Sequence, residues 1–159
     1  MKKHILLVTV ENKSGVLARV SSLFGRRGYN IASLTVSATT DENISRMSII
    51  VYGDDEILSQ IIKQLSKLEE VIKVDNLKED KCYCSEQVFV KIDIKNGVDV
   101  DIKCKNISAL YGASIVEETE DYIITKLADM PSRIDEYLNE IKRYGIIEMC
   151  RSGVTAIDR

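Results

Sequence analysis

Apolar residues occupy nearly every position of Ile5-Leu6-Leu7-Val8-Thr9-Val10. A run of that length and character predicts a strand buried on both faces. Val16, Leu17, Val20, Leu23 and Phe24 follow at a spacing that puts one apolar stripe on a helix. Ile31-Ala32-Ser33-Leu34-Thr35-Val36 then alternates as a half-buried strand, and the polar residues 39–43 predict a hairpin loop. Met47, Ile49 and Val51 mark a third strand. Gly53-Asp54-Asp55 opens a second helix with Ile57, Leu58, Ile61, Ile62, Leu65 and Leu68 on its apolar side and Lys63, Gln64 and Lys67 opposite. Val71-Ile72-Lys73-Val74 closes the unit as a fourth strand. The order is β-α-β-β-α-β, a ferredoxin-like arrangement.

The order returns, more faintly, after the charged run Lys78-Glu79-Asp80-Lys81, which reads as a linker. Residues 88–94 alternate as a strand, residues 102–111 form a weaker helix, and Gly112 stops it. Strands are predicted over 114–116 and 122–127, joined by an acidic turn at 118–121. Pro131 and Ser132 introduce a helix carrying Ile134, Tyr137, Leu138, Ile141 and Tyr144, and residues 146–149 close as a strand. The expected fold class is α+β, with two ferredoxin-like βαββαβ domains over residues 1–78 and 79–159. Two helices on one face of a four-stranded sheet leave the other face in need of cover. A first strand buried on both sides therefore predicts pairing between copies, a homodimer with ligand sites at the seam.

Candidate chemistry concentrates in two turns. Asn12-Lys13-Ser14-Gly15 joins the first strand to the first helix, with Ser14 the expected N-cap. Unpaired backbone N–H groups at a helix start attract a carboxylate, and Gly15 lets a ligand approach the backbone. Arg26-Arg27-Gly28-Tyr29-Asn30 is a second polar turn containing glycine. Most Asn/Gly turns ahead of a helix are only turns. An Asn in each of these, with the helix start, supplies the groups needed to hold a free amino acid by both its ends.

Composition narrows the remaining classes. At 159 residues, 45% hydrophobic and 30% charged, the chain is expected to be globular, and a net charge of −3 argues against a general nucleic-acid binder. The expected central strands, 5–10 and 46–51, carry no aromatic residue on which bases could stack, which disfavours the RNA-binding use of the same topology. No apolar run approaches the roughly 20 residues of a membrane span, and no signal peptide is evident, so a cytoplasmic location without membrane attachment is expected.

Cys82, Cys84, Cys104 and Cys150 are too scattered for a disulfide framework. The Cys82-Tyr83-Cys84 pair lacks the second pair of a closed zinc site, so no metal is expected and the cysteines read as reduced thiols. His4, the only histidine, reads as a solvated residue at a frayed start. The acidic residues Asp99, Asp101, Glu117, Glu118 and Glu120 do not have the spacing of a calcium loop. No phosphate-binding or dinucleotide fingerprint is present, and no catalytic residues are assigned.

Several strings are more specific than these patterns. They are Glu11-Asn12-Lys13-Ser14-Gly15-Val16-Leu17-Ala18-Arg19-Val20, Leu23-Phe24-Gly25-Arg26-Arg27-Gly28-Tyr29-Asn30-Ile31, Ser33-Leu34-Thr35-Val36 and Ser45-Arg46-Met47-Ser48-Ile49. With Gln64-Leu65-Ser66-Lys67-Leu68 and Arg151-Ser152-Gly153, they resemble the small, regulatory subunits of acetolactate synthase (acetohydroxyacid synthase), whose N-terminal half is an ACT domain. The resemblance is dense to about Val74 and thin afterwards. Ala32 stands where that family often has Glu, and the loop 39–44 lacks a Pro common there.

The resemblance implies a non-catalytic partner of a large subunit, activating it and conferring feedback inhibition by valine or a related branched-chain amino acid. Thiamine diphosphate, magnesium and FAD are then expected in that catalytic partner and no cofactor in this chain. On this view the N–H groups of Gly15, Val16 and Leu17 hold the effector carboxylate and Asn12 bonds its polar end. Asn30 of a second copy takes the ammonium group, and Ile31 walls the aliphatic side chain. Thr35, Ser37 and Gln60 are further lining candidates. The alternative is a stand-alone ACT-domain amino-acid sensor acting on another target; a DNA-binding version is disfavoured because no helix-turn-helix segment is left over.

Overall fold

The strand β1 (Lys2–Glu11) is paired on both sides, antiparallel to β3 (Ile44–Gly53) and to β4 (Val71–Leu77). With β2 (Ile31–Ala38) beside β3, the sheet order is β2-β3-β1-β4. The computed structural model describes residues 2–78, 81–95 and 98–159, so Glu79 and Asp80 of the expected linker lie outside the described residues. The chain forms two compact units, one from the chain up to Cys84 together with Val154–Arg159, the other from Ser85–Gly153. A single break at 78/79 has no place for the return of Val154–Arg159 to the first unit.

Alternation along β1 sends its side chains to two separate cores. Leu6, Val8 and Val10, with Met47, Ile49 and Val51 of β3, pack against the helices. Helix α1 (Val16–Arg26) contributes Val16, Val20 and Phe24, and helix α2 (Asp55–Leu65) contributes Leu58, Ile61 and Leu65. The Asp54 carboxylate caps α2 by accepting from the Ile57 N–H at 2.8 Å. Leu68 lies past the end of α2 but still packs against this core.

On the opposite face Ile5, Leu7 and Ile50 are buried with Leu77, Cys82, Val154 and Ala156. Part of the cover that the sequence reading assigns to a second copy is thus supplied by the chain's own C-terminal segment. Its strand β9 (Thr155–Asp158) pairs with β5 (Cys82–Asp93). Side-chain hydroxyls of the sheet fix it further: Val154 N–H donates to Ser33 Oγ (3.2 Å) and Ala156 N–H to the buried Ser48 Oγ (3.3 Å).

His4 corrects another expectation. It is 5% exposed rather than solvated, because β1 begins at Lys2 and sets His4 opposite Val51 in the ladder. Its ring Nε2–H donates to the Gly53 carbonyl at 3.3 Å.

The second unit repeats the topology, with sheet order β6-β7-β5-β8 from β6 (Ser114–Glu118), β7 (Tyr122–Asp129) and β8 (Ile146–Arg151). Its helices are α3 (Val98–Tyr111) and α4 (Pro131–Ile141), the latter followed by a 3₁₀ turn that includes Tyr144. Helix α3 starts a turn earlier than the apolar pattern suggests, with Asp99 and Asp101 at its positive N-terminal end. Val88, Val90, Ile92, Ile123, Leu127, Ile134 and Ile141 make the core. Tyr137 is fully buried inside it, its hydroxyl 2.7 Å from Thr125 Oγ1 and 3.1 Å from Ser108 Oγ. No described helix is long and apolar enough to cross a membrane.

Arg151 locks β8 to the rest of this unit. Its guanidinium donates to both oxygens of the buried Glu86 (2.8 and 2.6 Å) and to Asp135 of α4 (2.7 Å). The Glu86 carboxylate, above all, raises the guanidinium pKa further. Removing one partner of such a pair strands a buried charge, whereas removing both does not. Arg151→Leu is therefore expected to cost about 3–5 kcal/mol in urea unfolding, and Glu86→Leu with Arg151→Leu less than Arg151→Leu alone. Equal or greater loss in the double variant would contradict this account of the pair. Tyr137→Phe should cost about 1–3 kcal/mol in the same assay, since Thr125 and Ser108 lose a buried partner.

Candidate effector site

The first turn is built around Gly15, not Ser14. Gly15 sits at φ +87° as the N-cap of α1, and no side chain caps this helix. The chain passes from β1 into α1 through a left-handed residue, which glycine adopts without the steric cost a Cβ brings. Ser14 is exposed and caps nothing. The Val16 N–H donates to the Lys13 carbonyl at 3.3 Å, while among the described residues no backbone carbonyl accepts from the N–H of Gly15 or Leu17. Two donors at the positive end of α1 are thus available to an anion, rather than the three expected. The Val16 side chain is buried in the core, and that of Leu17 is 41% exposed beside the turn.

Asn12 has a positioning task of its own. Its Nδ2–H donates to the Glu42 carbonyl and its backbone N–H to the Asn43 carbonyl, both at 2.7 Å. These bonds tie the strand-to-helix turn to the β2–β3 hairpin. Lys13 beside it pairs with Glu11 at 2.8 Å, and that carboxylate holds the exposed ammonium pKa above its usual value.

The second turn carries Gly28 at φ +70°, then Tyr29 and Asn30. The Tyr29 hydroxyl donates to Gln60 Oε1 of α2 at 3.0 Å, so Gln60 braces this turn. Asn30 is exposed and lines an open cleft of about 1030 Å³ together with Lys2, Tyr29, Tyr52, Asp55 and Ile57. Lys2 and Asp55 form an exposed ion pair at 3.4 Å on this cleft. Apolar periodicity gives no sign of Lys2, Tyr29 or Tyr52 at this cleft; the Gly28-Tyr29-Asn30 string is the available signal for Tyr29.

Strand register shows which candidates come together. Ile31 pairs with Val51, which pairs with His4, so Asn30 lies at the Lys2 end of β1. Asn12 and Gly15 follow Glu11 at the other end. From His4 to Glu11 is seven residues, about 23 Å at the rise of an antiparallel strand. A free amino acid is one residue long. Asn12, Gly15, Val16 and Leu17 form one group, and Asn30, Ile31 and Gln60 form another, with the length of the sheet between them. Ile31 is half-buried and turns partly into its own core. Thr35 and Ser37 pair with Ser48 and Arg46 midway along β2, on the face away from the helices.

The turns offer backbone N–H groups, two carboxamides and an exposed aliphatic side chain, which is the chemistry of holding a small zwitterion rather than breaking a bond. Residues 6–73 match the family of the AHAS small subunit-like ACT domain, and residues 85–159 match the small subunit of acetolactate synthase. The acetolactate synthase small subunit of Mycolicibacterium smegmatis is 40% identical, over 98% of this chain and 91% of that relative. The isozyme 3 small subunit of Escherichia coli is 39% identical, over 99% and 96%. A crystal structure of the acetolactate synthase small subunit from Thermotoga maritima superposes with a TM-score of 0.89 at 28% identity, covering 100% of this chain and 98% of that one. The chain belongs to the acetolactate synthase small-subunit family, the non-catalytic regulatory subunits, with an N-terminal ACT domain, of the synthase that serves branched-chain amino acid biosynthesis.

Proposed function

We propose that this small subunit activates the large, catalytic subunit of acetolactate synthase and confers feedback inhibition by valine or a related branched-chain amino acid bound between two copies of the chain. Thiamine diphosphate, magnesium and FAD belong, on this reading, to the large subunit. The observation that carries the proposal is the opposed placement of the two turns at the ends of β1. Both can touch one amino acid only if each comes from a different copy. The Gly15 and Leu17 N–H groups of one copy then take the carboxylate, with Asn12 alongside. Asn30 of the other copy takes the ammonium group, and Leu17 and Ile31 flank the aliphatic side chain. A stand-alone sensor with another target is disfavoured by similarity that runs over both units to small subunits of the synthase.

Two substitutions test the site. Asn30→Ala removes a bond to a charged group, worth about 1–3 kcal/mol, and should weaken valine inhibition by about 5- to 150-fold. Gly15→Asp places a carboxylate and a left-handed non-glycine residue where the effector carboxylate belongs, and should abolish inhibition. Both variants should still fold, by circular dichroism, and still activate purified large subunit in an acetolactate assay. Wild-type valine sensitivity in both would place the effector elsewhere.

Mixing gives a sharper result. A mixed dimer of Asn30→Ala and Gly15→Asp chains carries both defects in one site and none in the other. Co-refolded mixtures should regain partial valine inhibition at wild-type valine concentrations, where neither variant alone is inhibited. No recovery, with mixed dimers confirmed by mass spectrometry, would mean that a single copy builds the site.

A further inference from the structure

Cys82 and Cys84 stand two residues apart on β5, so their side chains leave the same face of the strand. Their Sγ atoms are 3.5 Å apart, and the two are not joined by a disulfide. Cys82 is 5% exposed, buried among Ile5, Leu7, Ile50, Val154 and Ala156, and Cys84 is half-buried at the rim of that cluster. The strand pairing with β5 here is β9, and the Arg159 N–H reaches the Lys81 carbonyl at 3.1 Å. The pair therefore lies where the C-terminal segment is fastened to the first unit.

We propose that Cys82 and Cys84 are a reversible thiol–disulfide site, oxidised by a low-molecular-weight disulfide, whose closure loosens the C-terminal strand β9 from the first unit. Cys84, the more accessible sulfur, attacks as thiolate. The reagent S–S bond breaks, one thiolate leaves, and Cys84 holds a mixed disulfide. Cys82 gives its proton to the departing thiolate and attacks Cys84 Sγ, expelling the second reagent thiolate, which takes up from water the proton that Cys84 gave to water on becoming a thiolate. The protein loses two electrons and two protons, and the reagent disulfide becomes two thiols.

Two strand rises put Cα atoms about 6.6 Å apart, near the upper end of what a disulfide spans, about 4.4–6.8 Å. Closing the bond brings sulfurs 3.5 Å apart to about 2.0 Å and draws the Cα atoms toward the roughly 5.5–6 Å that disulfides favour, which puckers β5 at the residues that hold β9. It also pulls Cys82 away from Val154 and Ala156. A bond strained in this way is readily reduced again, as a reversible switch requires. The other cysteines do not compete. Cys104 is buried in the second unit, with its thiol pushed up to about 11 by burial and, secondarily, by Asp101. Cys150 is exposed and is removed from the test by substitution.

The full-length Cys150→Ser chain, incubated with oxidised glutathione, should lose two hydrogens by intact mass. Peptide mapping should find Cys82 joined to Cys84, with reversal by dithiothreitol. Amide hydrogen exchange over residues 154–159 should rise at least several-fold on oxidation and fall back on reduction. With Cys82→Ala added, which keeps the cluster apolar, glutathione should remain attached to Cys84. A stable glutathione adduct on Cys84 in the chain that retains Cys82, or no reaction at Cys84, would overturn the dithiol site. Disulfide formation with unchanged exchange at 154–159 would overturn its link to the C-terminal strand. Neither readout involves valine or the large subunit, so failure here is distinct from failure of the effector site.

Discussion

Burial of β1 on both faces is the constraint from which the first unit follows. Ile5, Leu6, Leu7, Val8 and Val10 are each at most 4% exposed, and burying such side chains is worth about 1.5–3 kcal/mol apiece. A strand with no polar face cannot lie on a surface. The helices cover Leu6, Val8 and Val10, and the segment 154–156 with Cys82 covers Ile5 and Leu7. The same strand acts as a spacer. Paired with β3 from Lys2 to Glu11 and with β4 from Ile5 to Val10, it holds the Asn12 turn and the Asn30 turn at a fixed separation. A small ligand that needs both turns must then find them on different copies.

Most of the first unit was legible because its elements advertise themselves through period and punctuation. The apolar run at residues 5–10, the stripe from Val16 to Phe24 and the helix opening at Gly53-Asp54-Asp55 each have one economical reading, and the structure adopts it. The misreadings share a physical cause, which is that a tertiary partner outweighed the local signal. His4 looks solvated beside Lys2 and Lys3, but ladder pairing with β3 draws it inside. Ser14 has the right chemistry for a cap, yet the sharp turn out of β1 requires a left-handed residue, and Gly15 is one. Strand β9, Thr155-Ala156-Ile157-Asp158, is too short to show an apolar period; it is held because Ser33, Ser48 and β5 supply partners from distant positions. Asn12 and Asn30 were legible as turn residues, but their opposed placement at the two ends of β1 needed the register.

The two units share a topology and hold it differently. The first relies on apolar cover on both faces of its central strand. The second places polar groups at decisive points: Tyr137 joins two hydroxyls inside the core, and Arg151 clamps Glu86 and Asp135. Its strand β6 is exposed along its length, and its apolar pattern is correspondingly faint, which is why this half reads weakly as a sequence. Resemblance is dense across the two glycine-containing turns of the first unit. It thins where a fold needs only buried volume and a few long-range polar ties that no local window reveals.

On the proposed function, effector control would also depend on how little the turns must rearrange. Asn12 is tied to the hairpin by two bonds of 2.7 Å, and the Tyr29 N–H and hydroxyl anchor the second turn to Phe24 and Gln60. Residues already held in place lose little freedom when a ligand arrives. An amino acid gripped by turns from two copies would therefore put most of its binding free energy into fixing one copy against the other. A ligand shifts an equilibrium only by its difference in affinity between states. A site completed across the pair would make that difference large, because an arrangement that separates the turns would lose half of the contacts at once.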